Sequence, residues 1–593
     1  MKPFFRFAAA LSLVATGFAA FAVPALFAQS ANPASDDAEP TPTALEDPAL
    51  VEQYQATITP QDLAAYLYVF SSDYFEGRET AARGQKLAAT YLAGQYRKLG
   101  LEPKGTAETD APYAPEAYFQ PFTVYGQRLK EARLSVVASG ETVATTTFSP
   151  TAADGQAFLT TGNASEAKGS VVFAGYGIAD DGLGYNDLEA LRQADVDLSG
   201  KWVVLLRDEP LANDSTSRLP TSDGAPSTWT TQPFSKLSAI FSVDVPAGVL
   251  IVGDAGPRAT ESMSEQAQAA ATVAREGVGS LSLSEPDGSS GRVVPPVYTI
   301  SAELANEMLA PSGRTVQEVQ QEIDASLQPV VFALPDVQVE STIQREPFEA
   351  QTENVLAFIE GSDPELKDEV VVLSSHYDHI GIDPTLGEDT INNGADDDGS
   401  GTVTLLEIAE AFMKAKEDGH GPRRSILFLH VAGEEKGLLG SAYYADTEPV
   451  FPIDKTVTNL NIDMIGRFDP TQESGSENYV YIIGSNLISQ ELDKINTDVN
   501  KATGVDLELD ERFNSKDDPN RFYARSDHWN FGKQGIPFIF YFTGTHEDYH
   551  GPDDEADKIE YDRMARIGRL VFATAWQVAN QDKPPAVSGK GFN

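Results

Sequence analysis

Glu369-Val370-Val371-Val372-Leu373-Ser374-Ser375-His376-Tyr377-Asp378-His379 passes from a continuous apolar run straight into a polar cluster. An apolar run of this length, rich in β-branched residues and without polar alternation, predicts a strand buried on both faces, Glu369–Ser374. The pattern recurs. Ser425–Ala432 leads into Gly433-Glu434-Glu435, Val457–Ile462 into Asp463, and Ile536–Phe542 into Thr545-His546-Glu547-Asp548-Tyr549-His550. Helical patterns at Gly401–Ala415, Leu487–Asn500 and Tyr561–Asn580 alternate with these strands and with Tyr479–Ile483. Such alternation predicts an α/β fold, a mixed, mostly parallel sheet sandwiched by helices. In an open sheet of this kind the C-terminal strand ends face one crevice. The polar clusters therefore converge there, joined by Ala395-Asp396-Asp397-Asp398-Gly399 ahead of the helix at Gly401.

The remainder of the chain has other textures. Residues 1–28 carry Lys2 and Arg6, an apolar run from Phe7 to about Val23 and small-residue cleavage patterns, which reads as a secretory signal peptide. Residues 29–56, rich in Ala, Pro, Asp, Glu and Thr, read as a disordered linker. Helices are expected around Leu63–Leu67 and from Gly84 to Leu99, closed by Gly100. From 131 to 335 short β-like runs such as Val171–Ala174, Trp202–Leu206 and Gly248–Val252 predict a β-rich domain inserted between two parts of the α/β domain, 57–130 and 336–582, with a tail at 583–593. With 593 residues, two or more domains are expected.

Composition excludes several chemistries. The 43 Lys and Arg against 89 Asp and Glu give a net charge of −46, which repels phosphate backbones and argues against nucleic-acid binding. There are no cysteines, hence no disulfide, thiolate metal site or cysteine nucleophile. After the first segment no stretch is apolar for long enough to span a bilayer, so no stable membrane association is expected once the signal is cleaved.

Histidines and carboxylates without thiols suit zinc or a similar divalent ion. Crowded carboxylates repel unless cations neutralise them. Two metals sharing one carboxylate would do so, and one further carboxylate, left off the metals, could act as general base. Taken singly, each cluster has an ordinary explanation: His376 as a core histidine, Asp396–Asp398 as a helix cap or calcium loop, His546 and His550 as surface groups. Those explanations do not account for all of them lying on successive strand ends. This chemistry does not decide which of Glu434 and Glu435 would ligate.

The series His376-Tyr377-Asp378, Gly394 to Gly401, Gly433-Glu434-Glu435-Lys436-Gly437, Asn461-Ile462-Asp463-Met464-Ile465-Gly466 and Asp548-Tyr549-His550-Gly551-Pro552 resembles the M28 family of di-zinc aminopeptidases and carboxypeptidases. Ser71–Thr80 looks like the family's N-terminal segment; Phe173–Ile178 and Tyr185–Leu188 look like its protease-associated (PA) domain. The resemblance implies a zinc-dependent exopeptidase (phosphorylase/hydrolase-like) fold with an inserted PA domain, and two zinc ions per chain. It implies that Asp397 bridges the metals, His376 and Asp463 complete one site, and Glu435 and His550 the other. Glu434 would be the general base and Asp378 would orient His376; a cis peptide would follow at Asp397–Asp398. His546 is the rival of His550, and Ser526-Asp527-His528 has a supporting place near the site.

The activity this implies is a secreted or periplasmic aminopeptidase acting on peptides. The alternatives are a metallocarboxypeptidase of the glutamate carboxypeptidase type, for which Arg467, Arg521 and Arg525 could supply cations, and a non-catalytic receptor-like protein. The inserted domain reads either as a lid over the crevice or as a folding accessory.

Overall fold

The computed structural model describes residues 45–589 except 112, 222–223, 233, 260–261, 278, 286–292, 384–388 and 473. The expected signal peptide lies outside the described residues.

The chain forms an α/β fold. Its central strands are Val370–His376, Ser425–Val431, Thr456–Ile462 and Phe538–Phe542, mutually parallel in the order 425–370–456–538. Antiparallel strands flank them: residues 355–359 beside Ile426–His430, and Tyr479–Ile483 beside Phe538–Phe542. All seven residues of Val370–His376 are buried, as are those of Ser425–Val431 and Thr456–Ile462. Successive side chains point to opposite faces. Val371, Leu373, Ile426 and Phe428 pack with the helices Arg83–Leu99, Gly401–Glu417 and Tyr561–Asn580. Val370, Val372, Leu427 and Leu429 pack on the other face with Tyr444 and Phe531. The apolar runs of the sequence are continuous because both faces are covered.

Two elements differ from expectation. Pro48–Gln55, within the expected linker, is a helix whose Val51 and Tyr54 are buried in the main core. A three-residue spacing on one face outweighs the polar composition around it. The expected helix Leu487–Asn500 is two, Ser485–Ile488 and Gln490–Ala502, because the Ser489 side chain accepts the Leu492 N–H and starts a second helix.

The strands Phe119–Ala138 and Val331–Ile359 pair antiparallel from Phe119↔Val355 to Ala138↔Val337. They run from the main core into a second one, built on Glu166–Ala174, Trp202–Leu206, Gly248–Val252 and Val297–Ile300 and packed around Trp202, Leu250 and Tyr298. Between Gln127 and Glu131 no third strand pairs with this ribbon among the described residues, and its register shifts at Gln344/Arg345. The expected insertion limits, 131 and 335, fall inside these two strands.

Candidate metal centre

Parallel strand order brings the polar strand ends together. His376, the last residue of its strand, is buried, with Nε2 3.1 Å from Asp397 Oδ1 and 3.6 Å from Asp463 Oδ1. Its Nδ1 lies 3.1 Å from the Asp378 main-chain carbonyl and 3.9 Å from the Asp378 carboxylate. The ring is thus held by backbone. The Asp378 carboxylate instead accepts the Thr80 hydroxyl at 2.6 Å and the Glu434 N–H at 3.3 Å.

The other oxygen of Asp397, Oδ2, faces a second group. His550 Nε2 is 3.0 Å away and His379 Nδ1 3.8 Å. Glu435 closes this group, with Oε1 2.8 Å from His379 Nδ1 and Oε2 3.2 Å from His550 Nε2. Two sets of ligand-type atoms therefore share Asp397: His376, Asp397 and Asp463, and His379, Asp397 and Glu435, with His550 against the second. His379 is the residue sequence reasoning passed over; its signal was its place in the same four-residue cluster as His376. His546 lies elsewhere, 3.3 Å from Asp396 Oδ2.

The chemistry of the donors fits divalent cations. Among the described residues, His550 Nε2 has no hydrogen-bond partner in spite of the two carboxylate oxygens within 3.2 Å, and His379 Nε2 has none either. Asp397, Glu435 and Asp463 crowd together with Glu434 and Asp398, an excess of anions that a cation relieves. Burial opposes the Asp397 charge, but His376 and His550 hold its carboxyl well below the usual range. Burial likewise opposes the Glu435 charge, and His550 beside it brings that group to about 2.

Glu434 behaves differently. Its carboxylate has no hydrogen-bond partner among the described residues and remains partly exposed to the cleft. Desolvation, then the carboxylates of Glu435, Asp463 and Asp527, push it well above the usual range, against the pull of His376. Asp527 is buried, accepts the Ser441 hydroxyl, and is raised to about 7 chiefly by burial.

Surrounding groups hold the ligand-bearing loops. Asp554, fully buried, accepts the N–H groups of Asp396 at 3.0 Å and Asp397 at 3.1 Å. Asp398 accepts from His376 N, Gly401 N and Met464 N. The Asp397–Asp398 peptide is cis. Arg78 reaches the same loops from the N-terminal part of the chain.

The cleft is lined by His376, Asp397, Glu434 and Asp463 and by an apolar and aromatic set, Met464, Phe522, Phe540, Phe542 and Tyr549. Arg525 and Thr545 also line it. The Arg525 guanidinium lies 5.0 Å from the Phe522 ring centroid and has no ion pair or hydrogen bond among the described residues. Arg467 is engaged by Asp548 at 3.0 Å. A larger groove, of about 880 Å³, lies beside Arg314 and Val330–Val337 and contains none of these groups, so size does not locate the chemistry here.

Residues 354–575 match the family model described as Peptidase family M28. A probable zinc metalloprotease of Pyrenophora teres f. teres is 31% identical over 288 residues, covering 42% of this chain and 56% of that protein. The aminopeptidase YwaD of Bacillus subtilis is 27% identical over 256 residues, covering 42% of this chain and 50% of that protein. The chain spans about half the length of the curated relatives it matches. Among solved structures, an aminopeptidase from Aneurinibacillus sp. strain AM-1 aligns over 92% of this chain and 100% of its own, at 16% identity and a TM-score of 0.46.

Proposed function

We propose that this chain, which carries a Peptidase family M28 domain over residues 354–575, is a zinc-dependent exopeptidase that removes residues from the N-termini of peptides. The observation that carries the reading is one buried carboxylate, Asp397, shared between two His/carboxylate sets at the C-terminal ends of parallel strands. His376, Asp397 and Asp463 would hold one zinc, and Asp397, Glu435 and His550 the other, with His379 beside the second set. Bound zinc supplies Lewis-acid polarisation of the scissile carbonyl and acidifies an attacking water.

The protein's own groups do the rest. Glu434, which lines the cleft and whose carboxylate has no hydrogen-bond partner among the described residues, takes a proton from water at that carboxylate and returns it to the leaving amine. Asp378, fixed by Thr80, accepts the Glu434 N–H and so places the base. The apolar and aromatic lining excludes water and receives an uncharged side chain. Residues 1–28 would direct the protein to the periplasm or outside the cell, and no helix of the described residues is long and apolar enough to cross a membrane. The second core, on the Phe119–Ala138 and Val331–Ile359 ribbon, would be the inserted PA domain.

A mixed peptide library incubated with the zinc-loaded protein, its products read by mass spectrometry, tests the reading. Stepwise loss from free N-termini is expected, absent for N-acetylated peptides. The free guanidinium of Arg525 on the cleft favours one second reading, capture of a C-terminal carboxylate; loss from C-termini would establish it instead. No cleavage by zinc-loaded protein would overturn both.

A further inference from the structure

Arg78 is a fully buried cation that forms no direct ion pair among the described residues, although the carboxylates of Asp397, Asp554, Asp378 and Asp398 act on its charge from farther off. Burying a charge without a counter-ion is costly unless its hydrogen bonds are complete. All five of its hydrogen bonds go to main-chain carbonyls. Nε donates to Tyr377 O at 2.9 Å; Nη1 donates to Asn393 O at 2.6 Å and Phe70 O at 3.3 Å; Nη2 donates to Gly394 O at 2.9 Å and Asp397 O at 3.4 Å. Three of these acceptors lie in or beside the loop that ends in Asp397, and one follows His376 directly.

The backbone around Arg78 is tied in as well. The His379 N–H donates to Arg78 O at 3.1 Å, and the Gly381 N–H donates to Gly77 O at 3.0 Å. Gly77 has φ 63°, and a Cβ there would meet Asn392 O at 2.5 Å. Only glycine lets the segment come this close. The guanidinium rests on the Phe70 ring, 4.6 Å from its centroid.

We infer that Arg78 is a positioning residue for the metal centre: one rigid fork that locks the His376–His379 loop to the Asn393–Asp397 loop, and so sets the separation of the two ligand sets across Asp397. The inference rests on the zinc reading above. A guanidinium can do this because its donors are coplanar and fixed; an ammonium offers donors from a single point and cannot serve both loops at once.

The test uses the full chain with Arg78→Lys, with zinc affinity measured by competition against a chromophoric chelator. Fold is followed by near-UV circular dichroism, and kcat and KM are measured with an unblocked peptide. Loss of a group that orients metal ligands costs about 10–100-fold in metal affinity. The expected result is a zinc dissociation constant raised by about that factor in a folded protein, with the loss of kcat/KM carried by kcat and KM unchanged. A lowered unfolding midpoint with an unchanged zinc constant would mean that Arg78 only supports the fold, and the inference would fall. If Arg78→Lys does not fold, Phe70→Leu, which keeps the position apolar but removes the ring under the guanidinium, loosens its seat instead. It should then raise the zinc constant, and an unchanged constant there overturns the inference. If the unmutated chain binds no zinc, the zinc reading itself fails, which is a different outcome.

Discussion

Glu434→Gln should bind zinc as the unmutated chain does and lose about 10²–10⁴-fold in kcat, the range general acid–base groups contribute. The amide has the size of the carboxylate but cannot accept and return a proton. Nothing else depends on that carboxylate, since it has no hydrogen-bond partner among the described residues. The residue's main-chain N–H, which contacts Asp378, is retained. Zinc content of the purified variant together with steady-state kinetics checks both halves. Near-normal turnover would remove Glu434 from the mechanism; loss of zinc would make it a ligand instead.

Asp397→Ala should be more severe, because the two ligand sets share this one carboxylate. Both zinc ions should be lost, and kcat should fall by about 10³-fold or more, since the Lewis acid supplies several kcal/mol to the barrier. Dialysis of the unmutated protein against a chelator should reproduce the loss reversibly. His376→Ala, which touches only one set, should keep one ion. Zinc per chain by atomic absorption distinguishes these cases, and two ions retained by Asp397→Ala would refute the shared-ligand reading.

The parts of this centre visible in the sequence are those fixed by strand periodicity. The apolar runs before His376, Gly433 and Asp463 form strands within a residue or two of expectation. The parallel order then leaves their ends little choice but to meet. The pairing of Asp397 with both His376 and His550 follows from that topology. What escaped were contacts that depend on loop conformation. His379 approaches Glu435 from a segment beyond the strand that bridges to Glu79, and no spacing rule encodes that long-range pairing. His376 is held by the Asp378 carbonyl, not its carboxylate, a distinction of backbone direction that residue identity does not carry. Arg78 and Asp554 act on the Asp397 loop from far along the chain in either direction. The helix Pro48–Gln55 was hidden by its polar neighbours, and only the burial of Val51 and Tyr54 accounts for it.

The two-stranded ribbon between the cores has a mechanical meaning. At its waist, Gln127, Arg128 and Lys130 on one strand and Gln344, Glu346 and Pro347 on the other are exposed. Leu129 packs against the second core there and Arg345 donates to Gly162 O, but no third strand stiffens the ribbon among the described residues, and two-stranded ribbons twist more than wider sheets. Extended backbone, by contrast, yields little in length. The waist therefore behaves as a torsion bar, yielding to twist about the ribbon axis more readily than to stretch along it.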